Sequence, residues 1–185
     1  MKAALPLVAL LAVFAAQWAL PVGQIVRLQG VIEHGTPYRF RTAPVDPADP
    51  FRGRYVALRF AADRIAVPEN ADYDPDRRYY APIAVADDGF AQLRRPLPAP
   101  PAHGDWLPVT VSARLDAGHV RVALPLDRFY LEEGLAPRAE ALLRDAPETR
   151  AVWADVRVRD GRAVIAALVV DGEPVRRWLA RRSEQ

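Results

Sequence analysis

Carboxylates, serines and histidines are the side chains here whose chemistry can be weighed first. Glu132 and Glu133 follow 128-RFYL-131, and Glu140 lies a little farther on. Paired carboxylates can serve as general acid and base. Adjacent residues on a strand point to opposite faces, so Glu132 and Glu133 are not expected to act on one substrate together. One of them facing inward would need an arginine partner. Serine hydrolysis needs a nucleophile with a base beside it. Only two serines are present, Ser112 in a strand-like run and Ser183 near the C-terminus, and the sole lysine, Lys2, stands before an apolar segment. A Ser-Lys pair is thereby excluded, and neither serine has the Gly-x-Ser-x-Gly setting of a nucleophile elbow. His34, His103 and His119 are scattered without compact metal-ligand spacing. The acidic run Asp72-Tyr73-Asp74-Pro75-Asp76 opens like a calcium loop. Its sixth position is Arg77 rather than Gly and its twelfth is Ile83 rather than Glu, so a solvated loop is expected. The absence of cysteine excludes disulfides and thiolate chemistry. No catalytic residue, metal or cofactor is assigned.

The stretch 49-DPFRGRYVALRF-60 poses the sharpest choice between a reactive site and a structural device. Asp before Pro, twice, is turn chemistry, and Gly53 can adopt a positive φ that other residues resist. From Tyr55 the pattern alternates, placing Val56, Leu58 and Phe60 on an inward face. A turn that launches a strand is the favoured reading.

These residues need a β scaffold. The segment 37-PYRFRTAPV-45 alternates, with Tyr38 and Phe40 sharing one parity. Residues 69–78 form a polar loop. Residues 79–95 read as a hairpin with Asp87-Asp88-Gly89 at its tip, and 96–105 as a Pro-rich connector. A second hairpin covers 106–124, turning at Asp116-Ala117-Gly118. A third pairs 151–158 with 162–170, and Asp171-Gly172 turns again. One helix is expected over 136–146, with Ala139, Leu142 and Leu143 as its inner stripe and Pro137 in its first turn. The tail beyond Pro174 is basic and expected to fray, with a short helix on an acidic membrane surface as the rival. The fold class is mainly β: an antiparallel β-sandwich or barrel-like domain with one short helix, preceded by an N-terminal transmembrane helix.

Residues 3-AALPLVALLAVFAAQWALPV-22 carry no charge and just reach the length that spans hydrocarbon. No cleavage site with small residues in both required places stands out, so a retained anchor is favoured over a signal peptide. The expected organisation is an anchor over 1–27, a β-rich extracytoplasmic domain over 28–175 and a basic tail over 176–185, with residues 25–36 read as a juxtamembrane extension. The chain is formally +2, yet residues 28–175 hold 19 Arg against 22 Asp and Glu, formally −3. A domain that binds nucleic acid should carry a basic face of its own, so nucleic acid is not an expected partner.

The segment 42-TAPVDPADPFRGRYVALRF-60 resembles the signature of the GDYXXLXY protein family. Gly53, Tyr55 and Leu58 stand at its Gly, Tyr and Leu, Phe60 replaces the final Tyr, and Arg54 replaces the Asp. The run 128-RFYLEEG-134, with Tyr130, Glu132 and Glu133, followed by Glu140, is similar to the family's aromatic and acidic stretch. The run 165-IAALVVDGEPV-175 is similar to its closing strand and turn. The resemblance implies a bacterial membrane-anchored protein of no established activity, and because a long domain after an anchor tends to translocate, a single-pass inner-membrane protein with its domain facing the periplasm is expected. The resemblance also implies a multi-spanning membrane protein as partner. Arg54 in place of Asp argues against a catalytic role there. The expected function is thus that of an accessory or interaction domain. The alternatives are an envelope hydrolase with a signal-peptidase-like β fold, working through Glu132, Glu133 or Glu140, and a ligand- or lipid-binding barrel with Trp106, Phe129 and Tyr130 in its cavity.

Overall fold

In the computed structural model, residues 4–43, 55–116, 118–132, 134–144 and 150–181 are described. The chain opens with helix α1, Ala4–His34. The strands are β1 Thr36–Ala43, β2 Tyr55–Ala57, β3 Arg59–Phe60, β4 Arg64–Ala66, β5 Arg78–Val85, β6 Ala91–Leu93, β7 Trp106–Asp116, β8 His119–Ala123 and β9 Arg128–Tyr130. Helix α2, Ala136–Arg144, comes next, then β10 Val152–Arg159, β11 Arg162–Val170, β12 Glu173–Pro174 and helix α3, Val175–Arg181.

All strand pairing is antiparallel. One sheet has the order β12-β11-β10-β1-β3, a ribbon joins β2 to β9, and another sheet has the order β4-β8-β7-β5-β6. Only Leu58 separates β2 from β3. The ribbon therefore continues the first sheet, which curls into a nearly closed, barrel-like surface. The mainly β, antiparallel class expected above is what forms.

Period-two alternation places the core. On β10, Val152, Ala154, Val156 and Val158 are buried while the intervening residues are half-exposed. Phe40 of β1 meets Phe60 of β3 edge to face, with ring centroids 5.8 Å apart. Val56, Leu58 and Phe60 all face inward as expected. The Asp-Gly turns pin the last strands. Asp160 and Gly161 have φ of 51° and 71°, Asp171 and Gly172 have 50° and 86°, and the flanking pairs Arg159↔Arg162 and Val170↔Glu173 close two-residue loops. Two consecutive positive-φ residues match the right-handed strand twist, which is why Asp-Gly recurs there.

Three expectations change. Residues 25–36 are not an extension: α1 runs unbroken through His34 and docks by its last turn, where Val31 is buried and Gly35 donates to its carbonyl at 2.9 Å. The C-terminal tail does not fray over Val175–Arg181. It forms α3, because Val175 and Leu179, four apart, share a face buried against the core. The transmembrane character expected of the N-terminal helix is also revised. Over the stretch of α1 from Val13 to His34, Gln17, Gln24, Arg27, Gln29 and Glu33 interrupt the apolar run. Among the described residues no helix is long and apolar enough to cross a membrane.

Candidate functional site: the seam of the barrel

The curled sheet leaves a seam. β12 pairs only with Val169 and Val170, so among the described residues the outer edge of β11 from Arg162 to Leu168 has no neighbouring strand. Ala166 is the extra residue of a bulge, since Asp155 pairs with Ala167 and Val156 with Ile165. Facing that edge across a groove is β9, whose other side pairs with β2 through Tyr55↔Tyr130, Val56↔Phe129 and Ala57↔Arg128. The groove encloses about 770 Å³. Leu126, Phe129 and Tyr130 form one wall, the uncharged run 163–168 the other, and Leu28 of α1 and Arg176 of α3 also line it.

The groove's rim is polar and aromatic. The Tyr55 and Tyr130 rings lie 5.8 Å apart, and the Arg128 guanidinium sits 5.2 Å from the Tyr55 centroid. A hydrogen bond with Tyr130, and then the Asp127 carboxylate, raise the Arg128 guanidinium above its usual pKa, and like any arginine it is a cation at neutral pH. Tyr130 is 62% exposed, an unusual state for a large aromatic side chain. Glu132 forms an ion pair with Arg176 at 3.7 Å, and both side chains remain more than half exposed. Glu132 therefore meets an arginine at the surface rather than in the interior.

The structure places Tyr130 in the groove's lining, with Tyr55 beside it through the ring contact and Glu132 beside it through the ion pair with Arg176. Leu58 and Phe60 are buried beneath this rim, and the Leu58 amide donates to the Asp127 carbonyl at 2.9 Å. Glu140 is exposed on α2 and does not line the groove. Gly53, Arg54 and Glu133 lie outside the described residues. Phe129 and Tyr130 line the groove. Trp106 does not: its ring packs edge to face on Tyr80 at 5.0 Å and covers Gly161. Leu28, Arg128, Arg176 and the free edge of β11 were missed as site residues. The sequence signal for that edge was present in the uncharged run 163-AVIAALVV-170, which carries none of the charges or prolines that usually blunt an edge.

Ser112, His119 and the acidic loop are engaged structurally. Ser112 Oγ donates to the Arg121 carbonyl at 3.2 Å, and His119 Nδ1 lies 2.8 Å from Asp116. In the acidic loop, Asp74 Oδ1 accepts from the Asp76 amide at 2.9 Å, an Asx turn.

The family model of the GDYXXLXY protein matches residues 17–168. No curated protein and no solved structure matches the chain. The matched range takes in the end of α1, the signature strand β2–β3, the β9 wall and most of β11. The chain belongs to the GDYXXLXY protein family.

Proposed function

We propose that the protein is a membrane-anchored accessory domain whose seam, beside the base of α1, docks a multi-spanning membrane protein at the bacterial inner membrane, with the domain on the periplasmic side. The observation that carries this reading is the surface of α1. Leu10, Val13, Phe14, Trp18, Leu20, Val22, Ile25 and Val26 are each at least half exposed. At 3.6 residues per turn they spread over roughly 240° of the circumference, and Ala16 and Ala19 fill much of the remainder. A helix that exposes this many large apolar side chains between its polar ones is stabilised by a lipid or protein neighbour. The charge-free sequence 3–22 supports insertion of its N-terminal part into the bilayer, and Trp18 is of the type favoured at an interface. Leu28 lies on the same helix and opens onto the groove, so a partner held beside α1 reaches the seam directly. Tyr130, Arg128 and Tyr55 at the rim are the residue types that dominate binding energy in protein interfaces. Purification of the intact chain from native membranes in mild detergent, with identification of what accompanies it, tests the reading. The enzymatic alternative gains no support from Ser112, whose hydroxyl is spent on a backbone carbonyl.

A further inference from the structure

The seam has a direction as well as a width. β10 runs antiparallel to β1, and β11 antiparallel to β10, so β11 runs with β1. β3 runs antiparallel to β1, β2 continues into β3 through Leu58, and β9 runs antiparallel to β2. β9 therefore runs with β1 too. The two borders of the groove are parallel to each other, although each pairing around the barrel is antiparallel. One strand between them restores the antiparallel pattern on both sides, and a two-stranded hairpin does not.

The volume also fits one strand. A strand rises about 3.3 Å per residue and occupies about 4.8 Å across the sheet and about 10 Å through it, roughly 160 Å³ per residue. The groove's 770 Å³ holds about five such residues.

Both borders offer backbone groups to such a strand. Arg159 and Arg162 flank a two-residue loop and so form a hydrogen-bonded pair. Alternation then turns the N–H and C=O of Ala163 and Ile165 away from β10 and towards the groove. At the other end Val170 and Glu173 flank a second such loop, so Val170 and, by the same alternation, Leu168 face outward. Val170 is answered by Glu173; among the described residues no strand answers Ala163, Ile165 and Leu168. On β9 the Leu58 amide donates to the Asp127 carbonyl, which sets the alternation there and turns the backbone groups of Arg128 and Tyr130 to the groove. The wall 163–168 is uncharged, so a charge buried against it would be costly. Within the chain, the undescribed runs of five or more residues are 44–54 and 145–149. Every five-residue stretch of either contains a proline, which cannot donate to a ladder. The strand therefore has to come from another molecule.

We infer that the groove takes one extended, uncharged segment of the partner, about five residues long, which pairs antiparallel with both β9 and β11 and closes the barrel. The inference rests on the docking proposed above and adds its mode: main-chain pairing holds the segment, and alternate side chains select it.

The experiment compares amide hydrogen exchange of the full chain alone and with its companion, both in the same mild detergent. Exchange over 162–168 is expected to slow about tenfold or more in the complex. The companion should slow over a single segment of about five residues. Ile165→Pro removes one groove-facing N–H and leaves the β10 ladder intact, and it should lower recovery of the companion about tenfold. Ile165→Val keeps that N–H and should recover the companion like wild type. Ala163→Pro is the second variant should Ile165→Pro fail to fold. A companion recovered with unchanged exchange over 162–168, or undiminished by the proline variants, overturns the strand insertion and leaves the docking standing. Two protected segments, or a second copy of this chain as the companion, overturn it as well. Absence of any companion removes the docking and the insertion together.

Discussion

At Gly161 a single missing methyl group joins the two sheets. The residue has φ of +71°, and a Cβ built there falls within the Trp106 ring. Gly161→Ala therefore combines backbone strain with overpacking, and a loss of about 2–4 kcal/mol is expected in chemical denaturation. A change below 0.5 kcal/mol would mean that the Trp106 contact is dispensable. Tyr38 offers a pH test of the same junction. Its hydroxyl donates to Asp105 at 3.0 Å, and burial, followed by that carboxylate, pushes its pKa from 10.0 to about 12. The folded-state value is the higher one. Its contribution is therefore complete below about pH 10 and is lost as pH rises towards about 12. Tyr38→Phe should flatten the alkaline fall in stability between pH 10 and 12, whereas parallel curves for the two proteins would contradict the assignment. Tyr38 was legible from alternation as an inward-leaning strand residue. Its partner Asp105, 67 positions away, was not, because only the folded sheet brings them together.

Among the elements, hairpins were the most readable, since Asp-Gly at a turn and alternation on both flanks are local signals. The inner stripe of α2 was equally plain: Ala139 and Leu142 are buried and Leu143 is half-buried. The two helix ends were read less well, for a common reason. Residues 25–34 mix apolar with polar side chains, and α3 is rich in arginine, so both look like solvated chain until tertiary contacts choose a face. Arg138 Nη2 donates to the Leu179 carbonyl at 3.0 Å and ties α3 to α2, a contact with no trace in local pattern. The elbow after α1 is similarly tertiary. The Gly35 amide meets the Val31 carbonyl, its own carbonyl accepts from Arg157 at 3.2 Å, and a Cβ on it would collide with Val31 and crowd Val158. Gly35→Ala should destabilise the domain by about 1–3 kcal/mol and open the 34–36 segment to proteolysis. Wild-type stability with an unchanged cleavage pattern would show that the elbow tolerates the added group.

For the whole molecule, the unclosed sheet and the exposed apolar surface of α1 are the two features on which the proposed docking rests. The family's signature makes structural sense in this setting. Tyr55 stands at the rim, Val56, Leu58 and Phe60 anchor the strand beneath it, and Tyr130 from the second shared stretch completes the aromatic pair. The seam itself was not legible, because it joins β9 to β11, which are far apart in the chain and carry no charge pattern in common. The most direct measurement is affinity purification of the tagged full chain from native membranes in mild detergent, at native abundance, with mass spectrometry of the companions. Wild type is expected to bring down a multi-spanning membrane protein in stoichiometric amount. Tyr130→Ala, a change at an exposed position, should lower that recovery by about tenfold without loss of folding. Recovery of wild type as a lone monomer would contradict the accessory role.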